Sequence, residues 1–327
     1  MPGPEHFRLV EAEVPPPAEG EVLVRNLFMA VDPAMRGRMY GGDSYVTPFA
    51  LDAPMEGPAI GTVLESRHPD FAPGDLVFHR LGWREAFTAP AERLERREQD
   101  GVLPPQAYLT FAGVTGLTAW AGLLRVGALK PGDVVFVSAA SGGVGSLAAQ
   151  IARIKGHKVV GAAGGPKKRA FLKDVLGLDA AIDYKAEANL TKALARELKA
   201  IGERGIDLYF DNVGGEHLHA AIALSNQFAR IAACGMISQY NLAGEAPLAP
   251  RNLMLIMGKR IRMEGYIATD FMPLWQHCMA DMRAWYRAGL LHSEETIHDG
   301  IEQAPAAFLS LFGGAGIGRT LVRLGGE

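Results

Sequence analysis

The stretch VVFVSAASGGVG at residues 134–145 decides the fold. Residues 134–137 are a short apolar run of β-branched and aromatic side chains, the pattern of a buried strand. Glycines follow Ser138 at once, in Ala139-Ala140-Ser141-Gly142-Gly143-Val144-Gly145-Ser146. From Val144 the period changes: Val144, Leu147, Ala148, Ile151 and Ala152 recur at i, i+3, i+4, i+7 and i+8, an amphipathic helix. Strand, glycine turn and helix in that order form the context in which a weak glycine motif becomes a dinucleotide site. The glycines let the backbone approach a pyrophosphate, and the new helix points its free N–H groups at the anion.

Outward from this turn, strands and helices alternate as far as about residue 267. The pattern predicts strands at 134–138, 158–162, 180–184, 206–213, 229–234 and 262–267. It predicts helices at 143–155, 167–176, 188–201 and 215–224. That βαβα order argues for a doubly wound parallel sheet with ligands at the carboxyl ends of its strands. Upstream, 109–125 has helical spacing through Leu117, Trp120, Ala121 and Leu124. Downstream, 271–291 is a helical segment whose Leu274, Trp275, Cys278, Met279, Met282 and Tyr286 form a packing face.

Residues 1–115 read as mostly β. EVLVRN at 21–26 alternates as a half-buried strand does, and 60–64 and 76–78 are further short strands between Pro/Gly turns. The mixed-sign run RLERREQD at 93–100 is a solvated surface. The tail, 306–327, returns to short strand-like pieces around Gly313-Gly314-Ala315-Gly316. The expected organisation is therefore a β-rich domain from 1–115 and 292–327 around an α/β domain at 116–291, with the active site in the cleft between them.

At 327 residues the chain is long for one core, which fits two domains. A net charge of −3 leaves no electrostatic footprint for nucleic acid or an anionic membrane. Cys234 and Cys278 are the only cysteines, too few for a disulfide framework or a cysteine-based zinc site. The opening MPGPEHFRLVEAEVPPP has neither the basic nor the apolar region of a secretory signal, and no apolar run approaches a bilayer span. A soluble, cytoplasmic setting is expected.

The second strand of the α/β domain decides the cofactor. An NAD site places Asp or Glu about 20 residues after the glycine turn, on the ribose 2′-hydroxyl. Here the strand tip is Gly161-Ala162-Ala163-Gly164-Gly165, followed by Pro166-Lys167-Lys168-Arg169. Small residues leave room for a 2′-phosphate and the cations compensate its charge. A solvated basic helix start is the competing reading. Cations at a helix N-terminus oppose its dipole, which favours NADPH.

An ordered set of motifs then resembles the medium-chain dehydrogenase/reductase superfamily. The set is Val31-Asp32-Pro33-Ala34-Met35-Arg36-Gly37-Arg38-Met39, Ser44-Tyr45, Gly116-Leu117-Thr118-Ala119, the Ala139-x-x-Gly142-x-x-Gly145 turn, Tyr209-Phe210-Asp211-Asn212-Val213-Gly214-Gly215, and Cys234-Gly235-Met236-Ile237-Ser238-Gln239-Tyr240-Asn241. Within the superfamily the chain is similar to the zinc-independent NADPH enone reductases: prostaglandin/leukotriene reductases, plant 2-alkenal (double-bond) reductases and curcumin-reductase-like bacterial enzymes. The resemblance implies a GroES-like β-rich catalytic domain, a Rossmann domain and a homodimer. By position it implies a pyrophosphate turn at Ala139, Gly142, Gly143, Val144 and Gly145. It places Gly164, Lys168 and Tyr184 at the 2′-phosphate end, and Asn212 at a strand end beside the cofactor. Cys234 and Ser238 fall on the nicotinamide side, Thr118 passes the nicotinamide ribose, and Tyr240 projects toward the reacting centre.

Zinc-dependent relatives carry Gly-His-Glu where this chain reads Pro54-Met55-Glu56, and the four-cysteine structural lobe is missing too, so no metal is expected. His217 and His219, two apart on a helix, face different ways and read as surface or hydrogen-bonded histidines. One position departs from the resemblance: Gly316 stands where the family tail often carries an asparagine that reaches the cofactor.

The implied reaction is reduction of the C=C bond of an α,β-unsaturated ketone or aldehyde. Enolate charge then grows on the carbonyl oxygen and needs a hydrogen-bond donor. Tyr240 is the first candidate donor. Tyr45, in YGGDSYVTP at 40–48, is the second, and Met35, Met55 and Tyr266 are candidate apolar wall. An NADPH quinone oxidoreductase of the same superfamily and a non-catalytic NADPH-binding protein stay open as alternatives.

Overall fold

A computed structural model describes residues 1–40, 46–242 and 250–325. The chain divides into two compact units, Met1–Gly113 with Glu295–Glu327, and Val114–Glu294. In chain order the first unit opens with β1 (Glu21–Ala30), β2 (Ala59–Ser66), β3 (Leu76–His79), β4 (Ala86–Pro90) and β5 (Glu95–Arg96). The second runs α1 (Val114–Ala121), β6 (Val134–Val137), α2 (Gly143–Ile154), β7 (Lys158–Ala163), α3 (Pro166–Ala170), β8 (Ala180–Asp183), α4 (Leu190–Ala200), β9 (Ile206–Asp211), α5 (Gly215–Leu224), β10 (Ser225–Ala233), α6 (Met254–Lys259), β11 (Arg262–Gly265) and α7 (Trp275–Arg287). β12 (Glu295–Asp299), α8 (Ala304–Gly313) and β13 (Arg319–Arg323) complete the first unit.

The first unit is a mixed sheet in the order β12-β13-β1-β2-β3-β5, with β4 also on β1. β1 serves two neighbours on one side because its ladder breaks in the middle. Glu21–Arg25 pairs with β4 and Phe28–Ala30 with β13, while the ladder to β2 on the other side shifts register between Asn26 and Phe28. Buried Asn26 fills the break: its N–H donates to the Glu85 carbonyl at 2.8 Å and its amide to the Arg84 carbonyl at 2.7 Å. Val22, Val24, Val63, Val77 and Phe87 pack one core of this unit, and Met29, Val31, Ala304, Ala307, Phe308 and Val322 another.

The tail corrects the sequence reading. Residues 304–313 are a helix, not strand-like pieces. Ala304, Ala307 and Phe308 are buried at helical spacing, Pro305 sits in the first turn, and Gly314 ends the helix in the left-handed region at φ 68°. The Phe and Leu content and the glycine cluster masked that period.

The second unit is a six-stranded parallel sheet in the order β11-β10-β9-β6-β7-β8. All four residues of β6 are buried, as are five of the six in β7 and in β9, which is why these strands read as continuous apolar runs. Phe136 and Tyr209 stack at 5.0 Å across β6 and β9. Where β6 begins, the buried Arg230 guanidinium pairs with Asp133 and donates to the Gly127 carbonyl at 3.0 Å. Breaking such a pair costs about 3–5 kcal/mol because it strands a buried charge. α7 packs on α1, with the Trp120 indole N–H donating to Asp281 at 2.8 Å.

The strand order reverses between β6 and β9: from β6 the chain winds outward to β7 and β8, then returns to β9 and winds the other way. A crevice opens at the carboxyl ends of the strands where the order reverses, and open α/β sheets bind ligands there. Among the described residues no helix is long and apolar enough to cross a membrane.

Candidate active site

The glycine turn sits at the carboxyl end of β6. Ala139 takes φ +46°, and its carbonyl folds back to accept the Gly142 N–H at 2.9 Å. A Cβ on Gly145 would lie 2.2 Å from that same carbonyl oxygen, so the first turn of α2 closes on the loop only with glycine there. The first turn-to-turn bond of α2 runs from Ser146 N–H to the Gly142 carbonyl at 2.9 Å. The N–H groups of Gly143, Val144 and Gly145 precede it and have no acceptor inside the helix, an arrangement suited to an anion.

The tip of β7 carries no acid, as the sequence indicated. The nearest carboxylate, Asp183 at the end of β8, is engaged: its Oδ1 accepts from the Gly165 N–H at 2.7 Å and the Lys185 N–H at 3.1 Å. A Cβ on Gly164 would meet the Lys185 side chain at 2.9 Å and the Tyr184 ring at 3.0 Å. Burial, then the neighbouring Lys185 charge, lower the Lys168 pKa. Burial, then Asp183, raise that of Tyr184. Two like charges converge here, a suitable seat for a phosphate. The next cation, Arg169, donates its Nε to the Ala181 carbonyl at 2.9 Å.

His217 corrects the sequence reading. It is buried, and among the described residues its Nε2 has no hydrogen-bond partner. Its ring meets the Tyr184 ring edge-on at 4.9 Å, and burial lowers its pKa to about 4. The first turn of α5 turns His217 inward, which a count of sequence separation from His219 does not reveal.

At the end of β9, Asn212 is tied across to β6. Its N–H donates to Ser138 Oγ at 3.0 Å and its side-chain amide to the Ser138 carbonyl at 2.7 Å. At the end of β10, Cys234 donates its N–H to the Asp211 carbonyl at 2.9 Å. Its thiol is hydrogen-bonded to Tyr266, and burial pushes its pKa up to about 11, so it is held neutral. The Tyr266 hydroxyl donates to the Thr118 carbonyl at 2.8 Å, which makes Tyr266 a polar anchor rather than apolar wall. Thr118 itself turns its hydroxyl to the Val114 carbonyl at 2.7 Å. Ser238 donates to the Val213 carbonyl, and half-buried Tyr240 brings its hydroxyl to 3.0 Å from where a Cβ on Gly235 would stand.

The strand tips of one sheet edge thus carry Ala139, the helix-start glycines, Gly164, Lys168, Tyr184, Asn212, Cys234, Ser238 and Tyr240. Thr118, on α1, joins them through Tyr266. Tyr45 lies outside the described residues. Sequence reasoning did not mark Lys185 or Asp211 as site residues, and it read His217 as a surface or hydrogen-bonded histidine. Lys185 had a signal, a second cation beside Tyr184. Gly316, in the first unit, packs against two hydroxyls: a Cβ there would meet Thr296 Oγ1 at 3.1 Å and Thr320 Oγ1 at 3.3 Å.

Among the described residues no group of three His, Cys, Asp or Glu side chains is placed to hold a metal ion. Glu56 is engaged by Arg93 at 3.2 Å and Arg38 at 3.4 Å.

Residues 1–96 match the family described as "N-terminal domain of oxidoreductase", and residues 143–285 the family described as "Zinc-binding dehydrogenase". The chain is 38% identical to the NADPH-dependent curcumin reductase of Escherichia coli, over all of its own length and 94% of that protein's. The chain belongs to the medium-chain dehydrogenase/reductase family. Within it, the chain falls in the group of the curcumin, 2-alkenal and prostaglandin reductases. It is 40% identical to the NADP-dependent 2-alkenal reductase of Nicotiana tabacum, over 95% of this chain and 90% of that one. The crystal structure of CurA from Vibrio vulnificus in complex with NADPH superposes with a TM-score of 0.92 at 38% identity, covering 100% of this chain and 96% of CurA.

Proposed function

We propose that the chain is an NADPH-dependent reductase of the C=C bond of α,β-unsaturated ketones and aldehydes. The observation that carries the reading is similarity along nearly the whole chain to reductases named for curcumin and 2-alkenals. The residues fit the cofactor on the structure's own terms. The Ala139 carbonyl leaves no room for a side chain at Gly145, the α2 start presents free N–H groups, and Lys168 and Lys185 converge beside an acid-free strand tip. Ala139, Gly142, Gly143, Val144 and Gly145 hold the pyrophosphate. Gly164, Lys168, Lys185 and Tyr184 hold the 2′-phosphate. Asn212, Cys234, Ser238 and Thr118 hold the nicotinamide end.

When bound, NADPH supplies a hydride to the β-carbon of the conjugated substrate. Tyr240 donates a hydrogen bond to the substrate carbonyl oxygen, where negative charge grows, and stabilises the enolate. The α-carbon then takes a proton from Tyr240 or from water, with Tyr45 the second candidate donor. Neutral Cys234 adds no charge to compete with the enolate.

A panel of enones, alkenals and quinones, each mixed with protein and NADPH, tests the reading. Enones and alkenals are expected to consume cofactor and give saturated carbonyl products. Consumption with quinones alone would favour the quinone reductase reading, and binding without consumption a non-catalytic protein.

For assembly, a homodimer through β11 is the reading. β11 is the outer strand of its sheet and is exposed along its length, with Met254, Met257 and Met263 exposed in and before it. An open, apolar-flanked edge strand is a template for pairing with a second copy. Light scattering at twice the 35.1 kDa chain mass supports it, and the chain mass itself refutes it.

A further inference from the structure

Asp211 lies at the end of β9, where the strand order reverses, and its side chain is fully buried. Its Oδ1 accepts the Gly214 N–H at 2.8 Å and the Val213 N–H at 2.9 Å. The Tyr209 hydroxyl lies 2.7 Å from Oδ1 and 2.9 Å from Ser138 Oγ. With one proton to give, Tyr209 donates to the carboxyl group and accepts from Ser138. Ser138 Oγ in turn accepts the Asn212 N–H at 3.0 Å. The Asp211 backbone carbonyl accepts both the Cys234 N–H at 2.9 Å and the Gly235 N–H at 3.0 Å.

One residue therefore gathers the end of β6, the Asn212–Gly215 turn and the loop after β10. β6 and β9 are paired as far as Val137 and Phe210, and beyond that last pair the Ser138, Tyr209 and Asn212 groups tie the two tips together. We propose that Asp211 is the positioning residue of this site, its carboxyl group holding the turn at 212–215 in the arrangement that binds cofactor. The inference rests on reading these strand tips as the NADPH site. It goes beyond that reading, because Asp211 is buried beneath the tips and acts through Asn212 and the turn. Among the described residues its Oδ2 is buried without a partner, and burial raises its pKa against the pull of its donors, Gly214, Tyr209 and Val213. A group whose only task was to stabilise the core would be better apolar. What Asp211 supplies instead is the direction in which its acceptors point.

The test is direct titration of NADPH, followed by protein fluorescence, with thermal melting in parallel, on wild type, Asp211→Ala, Asp211→Asn and Tyr209→Phe. Asp211→Ala removes the shared acceptor of three donors and is expected to raise the NADPH Kd about tenfold or more. Asp211→Asn keeps the Oδ1 acceptor and is expected to bring Kd back to within about threefold of wild type. Tyr209→Phe removes one hydroxyl and keeps the stacked ring, with an expected rise of about threefold. If Asp211→Ala does not fold, the other two variants carry the test: Kd unchanged in Tyr209→Phe overturns the proposal. So does Asp211→Asn binding as weakly as Asp211→Ala, and so does melting lowered with Kd unchanged. Wild type that binds no NADPH overturns the reading of the site itself, which sets that failure apart.

Discussion

The carbonyl oxygen of Ala139 lies 2.2 Å from the point where a Cβ would stand on Gly145. Real side chains do not approach backbone that closely, so loop or helix must move to admit one. Gly145→Ala is expected to cost about 1–3 kcal/mol of stability, the usual range for overpacking against backbone. It should also weaken NADPH binding, because the displaced atoms include the anion-facing N–H groups. Chemical denaturation and an NADPH titration on one sample check both. A variant with wild-type affinity would show that the turn does not seat the pyrophosphate.

Lys185 is close enough to Lys168 for its charge to lower the Lys168 pKa, and Oδ1 of nearby Asp183 is held by backbone N–H groups. Each lysine is expected to contribute a charge-assisted bond to a 2′-phosphate, so Lys168→Ala and Lys185→Ala should each raise the KM for NADPH about tenfold or more. NADH lacks that phosphate, and its KM should stay put. Equal losses with both cofactors would remove the two lysines from this role.

Tyr240→Phe keeps the ring and deletes the donor. Turnover should fall by about 10²-fold, the scale of losing one oxyanion donor, while NADPH affinity stays nearly intact. Steady-state kinetics beside a binding titration separate the two effects. Unchanged turnover would pass the role to Tyr45 or water.

Two buried histidines contribute a loss of stability in acid. Burial, then Arg84 and Arg93, lower His79 to about 3, and burial lowers His217 to about 4. Both lie below the unfolded value of about 6.5, so the unfolded chain takes up protons first as pH falls. The stability of the neutral rings is therefore whole above about pH 6.5, and falls by about 1.4 kcal/mol per pH unit per histidine toward pH 4 and 3. His217→Phe should lose stability less steeply than wild type between pH 6.5 and 4.5. Parallel urea-unfolding curves for the two proteins would contradict the assignment.

The doubly wound half was legible because its strands are buried on both faces and its helices on one, so the period of the sequence switches at each boundary. The glycine turn and the acid-free tip at 161–165 were legible for a related reason: backbone approach and a missing carboxylate are properties of residue type. The helix at 304–313 was not, because the run of apolar side chains on every side and the adjacent glycines hid the Ala304, Ala307, Phe308 spacing. β12, ETIHD, is polar enough to leave no pattern at all. Asp211 and His217 were invisible for a different cause. Their importance lies in partners far away in sequence, Ser138 for one and Tyr184 for the other. Local periodicity carries no trace of such a bond.

The central claim is that NADPH reduces the carbon–carbon bond and leaves the carbonyl intact. NADPH carrying deuterium on the transferred C4 position, reacted with an α,β-unsaturated ketone and the purified chain, tests it most directly by mass spectrometry and NMR of the product. The expected product is the saturated ketone with deuterium on the former β-carbon, one cofactor consumed per molecule formed. Deuterium on the carbonyl carbon, in an allylic alcohol, would contradict the account.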